Sequence, residues 1–242
     1  MRRSVAPACM RAPALAQGRK FVLESPETMT IRVKKEFSFV FPTLILERAF
    51  EDVAELNNSL RSLILSREAA GGGVVKSNVG GWHSETDFWR WEGSEATALF
   101  QRVAGAVKDY VAIERKVDAA ALDLVVSAEG WANVARAGNY SKPHVHPNAN
   151  ISGVYYVDVG ESTPEAPHSG VIEFIDPRHR PGMFETEGTL ASDGYRIVPK
   201  NGLLLLFPAW LYHYVHPYTG AAPRVCVAFN VTIQKLKLQS AP

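Results

Sequence analysis

Cysteine is scarce: Cys9 and Cys226 are the only two in 242 residues. One lies in an N-terminal stretch and the other inside an apolar strand pattern, which argues against a disulfide and fits a reducing cytoplasm, the expected location. The chain also lacks an excess of either charge. Lys plus Arg number 26 and Asp plus Glu 25, so there is no electrostatic ground for binding nucleic acid or an anionic membrane surface. No apolar run approaches the roughly 18 to 20 residues that span a bilayer, so no membrane partner is expected. Internal repeats are absent, which excludes solenoids and propellers.

At this length the chain is one large domain or two small ones, and β-rich barrels of this size are commonly single domains. Residues 1–23 hold Arg2, Arg3, Arg11, Arg19 and Lys20 without an acidic residue. This composition matches an organelle-targeting leader, but the stretch reads more simply as a disordered tail or an upstream extension. Met29 would then be an alternative start. Setting residues 1–28 aside leaves 21 basic against 23 acidic residues in a single domain over 29–242.

Phe37 to Phe41 reads as a strand stopped by Pro42. From Glu47 to Glu68 the apolar residues Phe50, Val53, Ala54, Leu56, Leu60, Leu63 and Ile64 recur at three and four, the mark of an amphipathic helix. Gly71-Gly72-Gly73 ends it. A second helix is expected from Ser94, as N-cap, to about Ala120, with Leu99, Val103, Val107, Tyr110 and Val111 on its apolar side. From Leu122 the pattern turns to short β runs: Leu122–Ser127, Trp131–Arg136, Ile151–Val159, Gly170–Ile175, Tyr195–Val198, Gly202–Phe207 and Arg224–Ile233. Such spacing argues for an antiparallel sandwich or barrel, an α+β but mainly β fold with the helices covering one outer face. In the last run Arg224, Cys226, Ala228, Asn230 and Thr232 alternate with Val225, Val227, Phe229, Val231 and Ile233. One face packs under helices and the other lines a cavity.

The chemistry centres on His144-Val145-His146. In a strand these two imidazoles share a face and hold one cation together. His213 follows 67 residues after His146 and Arg224 eleven residues later. Three ligands with other positions open make a catalytic metal site. A guanidinium grips a carboxylate through two parallel bonds, so the four residues suggest a metal acting on a carboxylate-bearing cosubstrate.

In order, the stretch from His144 to Asn230 resembles the double-stranded β-helix (jelly-roll) oxygenases that use Fe(II) and 2-oxoglutarate. After the His-x-His pair come Gly153-Val154-Tyr155-Tyr156-Val157, Gly170-Val171-Ile172-Glu173-Phe174 and Pro199-Lys200-Asn201-Gly202 with its leucine run. His213-Tyr214-Val215-His216-Pro217 and Arg224 follow. Prolyl hydroxylases show a similar order. With Ser77-Asn78-Val79-Gly80-Gly81-Trp82-His83-Ser84 added, the chain resembles a family of 2-oxoglutarate/Fe(II) oxygenases of unassigned substrate. The resemblance implies a jelly roll, Fe(II), 2-oxoglutarate and O2, and hydroxylation with release of succinate and CO2. It makes His144, His146 and His213 the iron ligands, with Arg224 and Tyr156 holding the distal carboxylate of 2-oxoglutarate. The second ligand is the departure: these enzymes ordinarily place a carboxylate where His146 stands. His146 then binds iron directly in a three-histidine site or orients a ligand from behind, and the first is favoured. Asp176 is the nearest carboxylate in sequence that would rescue the ordinary triad, at a spacing that fits poorly.

Two other readings compete for these residues. Gly138, five residues, then His-x-His opens a cupin motif, but Pro147-Asn148-Ala149-Asn150-Ile151 lacks the glutamate a cupin expects. A non-catalytic metal-binding or ligand-binding module is the third reading. His168 and His179 read as surface residues, His216 as a strand-end cap, and His83 equally as a turn residue or part of the substrate mouth. Trp82 has a modest claim to the pocket. Asn150 and Asn230 read as amides satisfying backbone, and Asp176-Pro177-Arg178 as a turn whose arginine sits near the mouth. The substrate, a small molecule or a protein side chain, is left to the loops at 71–92 and 160–190.

Overall fold

The computed structural model describes residues 41–161, 165–178 and 194–238. The compact unit that carries the site begins at Pro42. In chain order its elements are β1 (Leu46–Ala49), α1 (Ala54–Ala69), β2 (Asn78–Val79), β3 (Trp82–His83), α2 (Ser94–Arg115), β4 (Leu122–Ala135), β5 (Tyr140–His144) and β6 (Ile151–Asp158). There follow β7 (Ile172–Ile175), β8 (Gly194–Ile197), β9 (Leu203–Pro208), β10 (His213–Val215) and β11 (Arg224–Leu238). The strands form two antiparallel sheets, one ordered β1-β9-β6-β11-β4-β3 and the other β2-β5-β10-β7-β8. This is the mainly β jelly-roll arrangement anticipated above.

The alternation of β11 decides what lies on each side of the larger sheet. Val225, Val227, Phe229 and Val231 join Ile151, Tyr155, Val157, Leu204 and Leu206 in a core shared with Leu60 and Ile64 of α1 and Leu99, Val103 and Val107 of α2. The helices therefore cover its outer face. On the inner face, Val154, Tyr156, Leu205, Phe207 and Cys226 meet Ile172, Phe174 and Ile197 of the smaller sheet. Each fully buried residue of this kind contributes about 1.5–3 kcal/mol of burial free energy. Where the inner face carries small or polar residues in place of large ones, a cavity opens between the sheets.

Several boundaries differ from the sequence expectation, each for a local reason. Leu46–Ala49 is a strand paired with Leu203–Leu206, so the first helix starts at Ala54, after Asp52 takes a left-handed φ of 54°. Ser94 is the first helical residue, with Gly93 at φ 129° as its N-cap, and this helix ends at Arg115 where Lys116 turns left-handed at φ 56°. The runs Leu122–Ser127 and Trp131–Arg136 are one strand, because Gly130 continues it in register with Phe229. The smaller shifts at other strand ends are of one or two residues, except that β11 runs on to Leu238. The expected strand Phe37–Phe41 falls outside the described residues except Phe41, which is exposed and not in a strand. The tail 1–28, Met29, Cys9 and His179 also lie outside them.

Candidate active site

Strand register brings the histidines together. His213 of β10 pairs directly with His144 of β5, and side chains opposite each other in an antiparallel pair stand about 4.5–5.5 Å apart at Cβ. His146 does not share the strand, contrary to the expectation from the His-x-His spacing. β5 ends at His144, and the chain turns through Pro147 and Asn148, the latter at φ 69°. His146 is held instead by its backbone N–H, which donates to the Ala209 carbonyl at 2.9 Å. The three imidazoles still converge: one ligand atom from each lies within 4.8 Å of the others. His146 Nε2 is 3.4 Å from His213 Nε2.

Backbone carbonyls fix two of the tautomers. A carbonyl only accepts, so His144 Nδ1–H donates to Lys142 O at 2.6 Å and His213 Nδ1–H to Leu211 O at 2.9 Å. In the neutral rings each Nε2 then presents a lone pair. Ser77 Oγ stands 3.3 Å from His144 Nε2, a neighbour the sequence reading did not single out although Ser77 opens the motif it quoted. Burial lowers the pKa of all three rings, to about 4 at His146 and about 3 at His213, with the neighbouring histidines adding repulsion. Neutral imidazoles facing one another across a few ångströms suit a metal ion.

The carboxylates on nearby strands are committed elsewhere. Glu173 accepts from Arg196 Nε at 2.6 Å and lies 2.7 Å from His216 Nε2. Burial pushes its pKa up, but the Arg196 and His216 bonds outweigh this and hold it at about 2. Asp176 is paired with Arg178, so it does not restore the ordinary triad, and Arg178 is occupied by the same pair. His216 binds Glu173 in place of a simple strand-end role, and exposed His168 stacks on it at 5.4 Å. Asn150 accepts from the Ile233 backbone N–H at 2.8 Å, as expected of a structural amide.

The other half of the site rises from the larger sheet. Tyr156 of β6 is in register with Cys226 of β11, and Arg224 lies two residues before Cys226 on the same inner face. The Arg224 guanidinium sits 5.2 Å over the Tyr156 ring. Both side chains are buried, and among the described residues the Tyr156 hydroxyl and Arg224 Nε have no hydrogen-bond partner. Among the described residues Arg224 has no carboxylate partner; its remaining contacts are Gly170 O at 3.3 Å and Cys226 Sγ at 3.9 Å. Burial raises the Tyr156 pKa, so the phenol stays a neutral donor. A buried cation and a buried hydroxyl left unpaired side by side are costly unless an anion completes them. Histidines, Arg224 and Tyr156 line one cavity of about 660 Å³, joined by Trp82, His83 and Asn230.

Comparison with known proteins agrees with this geometry. Residues 129–230 match the family model described as "Putative 2OG-Fe(II) oxygenase". That segment is similar to the 2OG-Fe(II) oxygenases. The chemistry of this family is that of Fe(II), 2-oxoglutarate and O2. Among solved structures the fold is similar to a prolyl-4-hydroxylase of Pseudomonas putida (TM-score 0.55, 15% identity, covering 79% of this chain and 93% of that one). It is also similar to a Trichoplax adhaerens prolyl hydroxylase in complex with a hypoxia inducible factor peptide fragment (TM-score 0.52, 12% identity, 78% and 83% covered). A third is HygX of Streptomyces hygroscopicus with nickel and 2-oxoglutarate bound (TM-score 0.50, 14% identity, 79% and 84% covered). No curated protein matches the chain. No helix among the described residues is long and apolar enough to cross a membrane.

Proposed function

We propose that this oxygenase hydroxylates a substrate C–H bond, with His144, His146 and His213 holding Fe(II) and with Arg224 and Tyr156 holding the distal carboxylate of 2-oxoglutarate. The observation that carries the reading is the pairing of a three-imidazole cluster with a buried guanidinium that has no carboxylate partner and a buried phenol whose hydroxyl has no partner among the described residues, all facing one cavity. The residues fit the groups assigned to them. Neutral imidazole nitrogens suit a divalent transition metal, and the forked Arg224 guanidinium beside the Tyr156 hydroxyl suits a carboxylate.

Iron bound there supplies the oxidising chemistry, in which 2-oxoglutarate and O2 yield succinate and CO2 and the substrate gains a hydroxyl. The protein's own part is positional. The carbonyls of Lys142 and Leu211 hold the His144 and His213 rings in the ligating tautomer. Arg224 and Tyr156 fix the far end of the cosubstrate. Phe207 packs edge-on to His213 at 4.7 Å and, with the buried Phe174 beside it, keeps water from that side of the ring.

Three neutral ligands leave the metal with one more positive charge than two histidines and a carboxylate would. Fe(II) should bind less tightly and be favoured over Fe(III). Anaerobic addition of Fe(II) and 2-oxoglutarate should load one iron per chain and give a weak visible charge-transfer band, lost in His213→Ala. An unchanged band in that variant would remove His213 from the site. Binding of both groups without succinate release would favour a non-catalytic binding module.

A further inference from the structure

We infer that His83 is a substrate-positioning residue, accepting a hydrogen bond at Nε2 from an O–H or N–H of the substrate. This assigns the substrate to the class that presents a donor near the carbon to be oxidised, and it rests on the reading of the site given above.

His83 is firmly held. It is the last residue of β3, in register with Asn133 of β4, whose side chain faces the cavity. Its ring stacks on Trp131 with centroids 5.5 Å apart and planes 11° from parallel. Trp131 in turn lies 5.8 Å from the His146 ring, so His83 stands one indole away from the imidazole cluster. The next residue welds the turn to β4: Ser84 N–H donates to Ala132 O, and Ala132 N–H donates to Ser84 Oγ, each at 3.0 Å.

A turn residue in a structural role needs nothing more than its Nδ1–H, which donates to Ser84 O at 2.6 Å. That bond fixes the tautomer and leaves the lone pair on Nε2. The residue is only 6% exposed, it lines the cavity, and among the described residues nothing bonds Nε2. An acceptor on a firmly held ring that lines a cavity, with no protein donor on it, is a position that a ligand can complete. Farther along the same face of β4, Glu129 accepts from Asn230 Nδ2 at 2.9 Å and also lines the cavity. Its carboxylate is a second acceptor, which again favours a substrate bearing donors.

The test uses the full chain, labelled with ¹⁵N at histidine and loaded with Zn(II) and 2-oxoglutarate. Phenol, benzyl alcohol and benzamide are titrated beside anisole, benzyl methyl ether and N,N-dimethylbenzamide, which differ from them only in lacking the donor. At least one donor probe should shift the His83 Nε2 resonance and bind roughly threefold to tenfold more tightly than its methylated counterpart, the worth of one net hydrogen bond. His83→Phe, which keeps a ring against Trp131, should erase that ratio. His83→Gln, which can place a carbonyl oxygen where Nε2 stood, should keep most of it. A panel in which no donor probe moves Nε2, or a ratio that survives in His83→Phe, overturns the assignment. Should either variant fold poorly, the wild-type resonance decides alone. Zn(II)-loaded chain that fails to bind 2-oxoglutarate would instead count against the proposed function, so the two failures are distinguishable.

Discussion

Arg224→Met separates a cosubstrate anchor from a structural cation because the two roles predict opposite signs for stability. Arg224 is 5% exposed and has no carboxylate partner among the described residues. In the protein without cosubstrate its charge is therefore buried and uncompensated. Removing one member of a buried ion pair typically costs about 3–5 kcal/mol, since the other charge is left stranded. Here the stranded charge in the variant is the distal carboxylate of 2-oxoglutarate. At about 1.4 kcal/mol per decade, affinity should fall by at least a hundredfold. The melting temperature without cosubstrate should hold or rise, since an unpaired guanidinium has been exchanged for an apolar side chain of similar length. Arg224→Lys should recover part of the affinity, keeping the charge but not the two-pronged geometry. Anaerobic titration calorimetry of the metal-loaded proteins, beside thermal melts without cosubstrate, provides both readings. A large loss of stability with affinity unchanged would make Arg224 a structural cation and not a cosubstrate anchor.

Three further outcomes are expected. His146→Asp should keep or raise Fe(II) affinity by restoring a carboxylate ligand, whereas His146→Ala should lower it; equal affinity in all three proteins, measured by metal titration, would place His146 outside the ligand set. Stability without metal should fall as pH drops from 6.5 toward 4. His146 and His213 are lowered to about 4 and about 3 from 6.5, so across that window the unfolded chain takes up protons that the folded one refuses. Denaturant melts at stepped pH would show it, and a flat profile would contradict the burial assigned to these rings. Gly153→Ala should destabilise by about 1–3 kcal/mol, because its Cβ would stand 2.4 Å from Phe229 Cζ and 2.7 Å from the Leu205 carbonyl, and chemical denaturation should report that loss.

The parts of the fold legible in the sequence are those where one residue's position constrains many others. The β11 alternation located both the helix-covered face and the cavity, since a period of two leaves no choice of side. The same period misled at His144 and His146. The rings do approach one another, but through a turn pinned by Ala209 and through cross-strand pairing with His213, neither visible in local spacing. Gly130 falls between the runs expected at Leu122–Ser127 and Trp131–Arg136, where a glycine usually marks an interruption. It is there for another reason: an added Cβ would meet the Trp89 indole at 2.6 Å, so the strand needs glycine for close approach. The first helix was begun too early because Glu47 to Phe50 suits either a helix or an edge strand, and only pairing with β9 decides. Glu173 carries no local signal of its role, and it is paired with Arg196 and His216 rather than with the three-histidine cluster.

The division of the site between sheets has a mechanical consequence. His144 and His213 belong to the sheet of β5 and β10, whereas Tyr156 and Arg224 belong to the sheet of β6 and β11. A dicarboxylate held as proposed would be a strut between two layers that meet through side-chain packing and a few hydrogen bonds such as Arg224 to Gly170 O. Amide hydrogen exchange in β10, a strand of three residues, should slow far more when both are present than the sum of their separate effects. The reaction would then be coupled to rigidity: decarboxylation shortens the strut by one carbon, and the layers relax as succinate leaves.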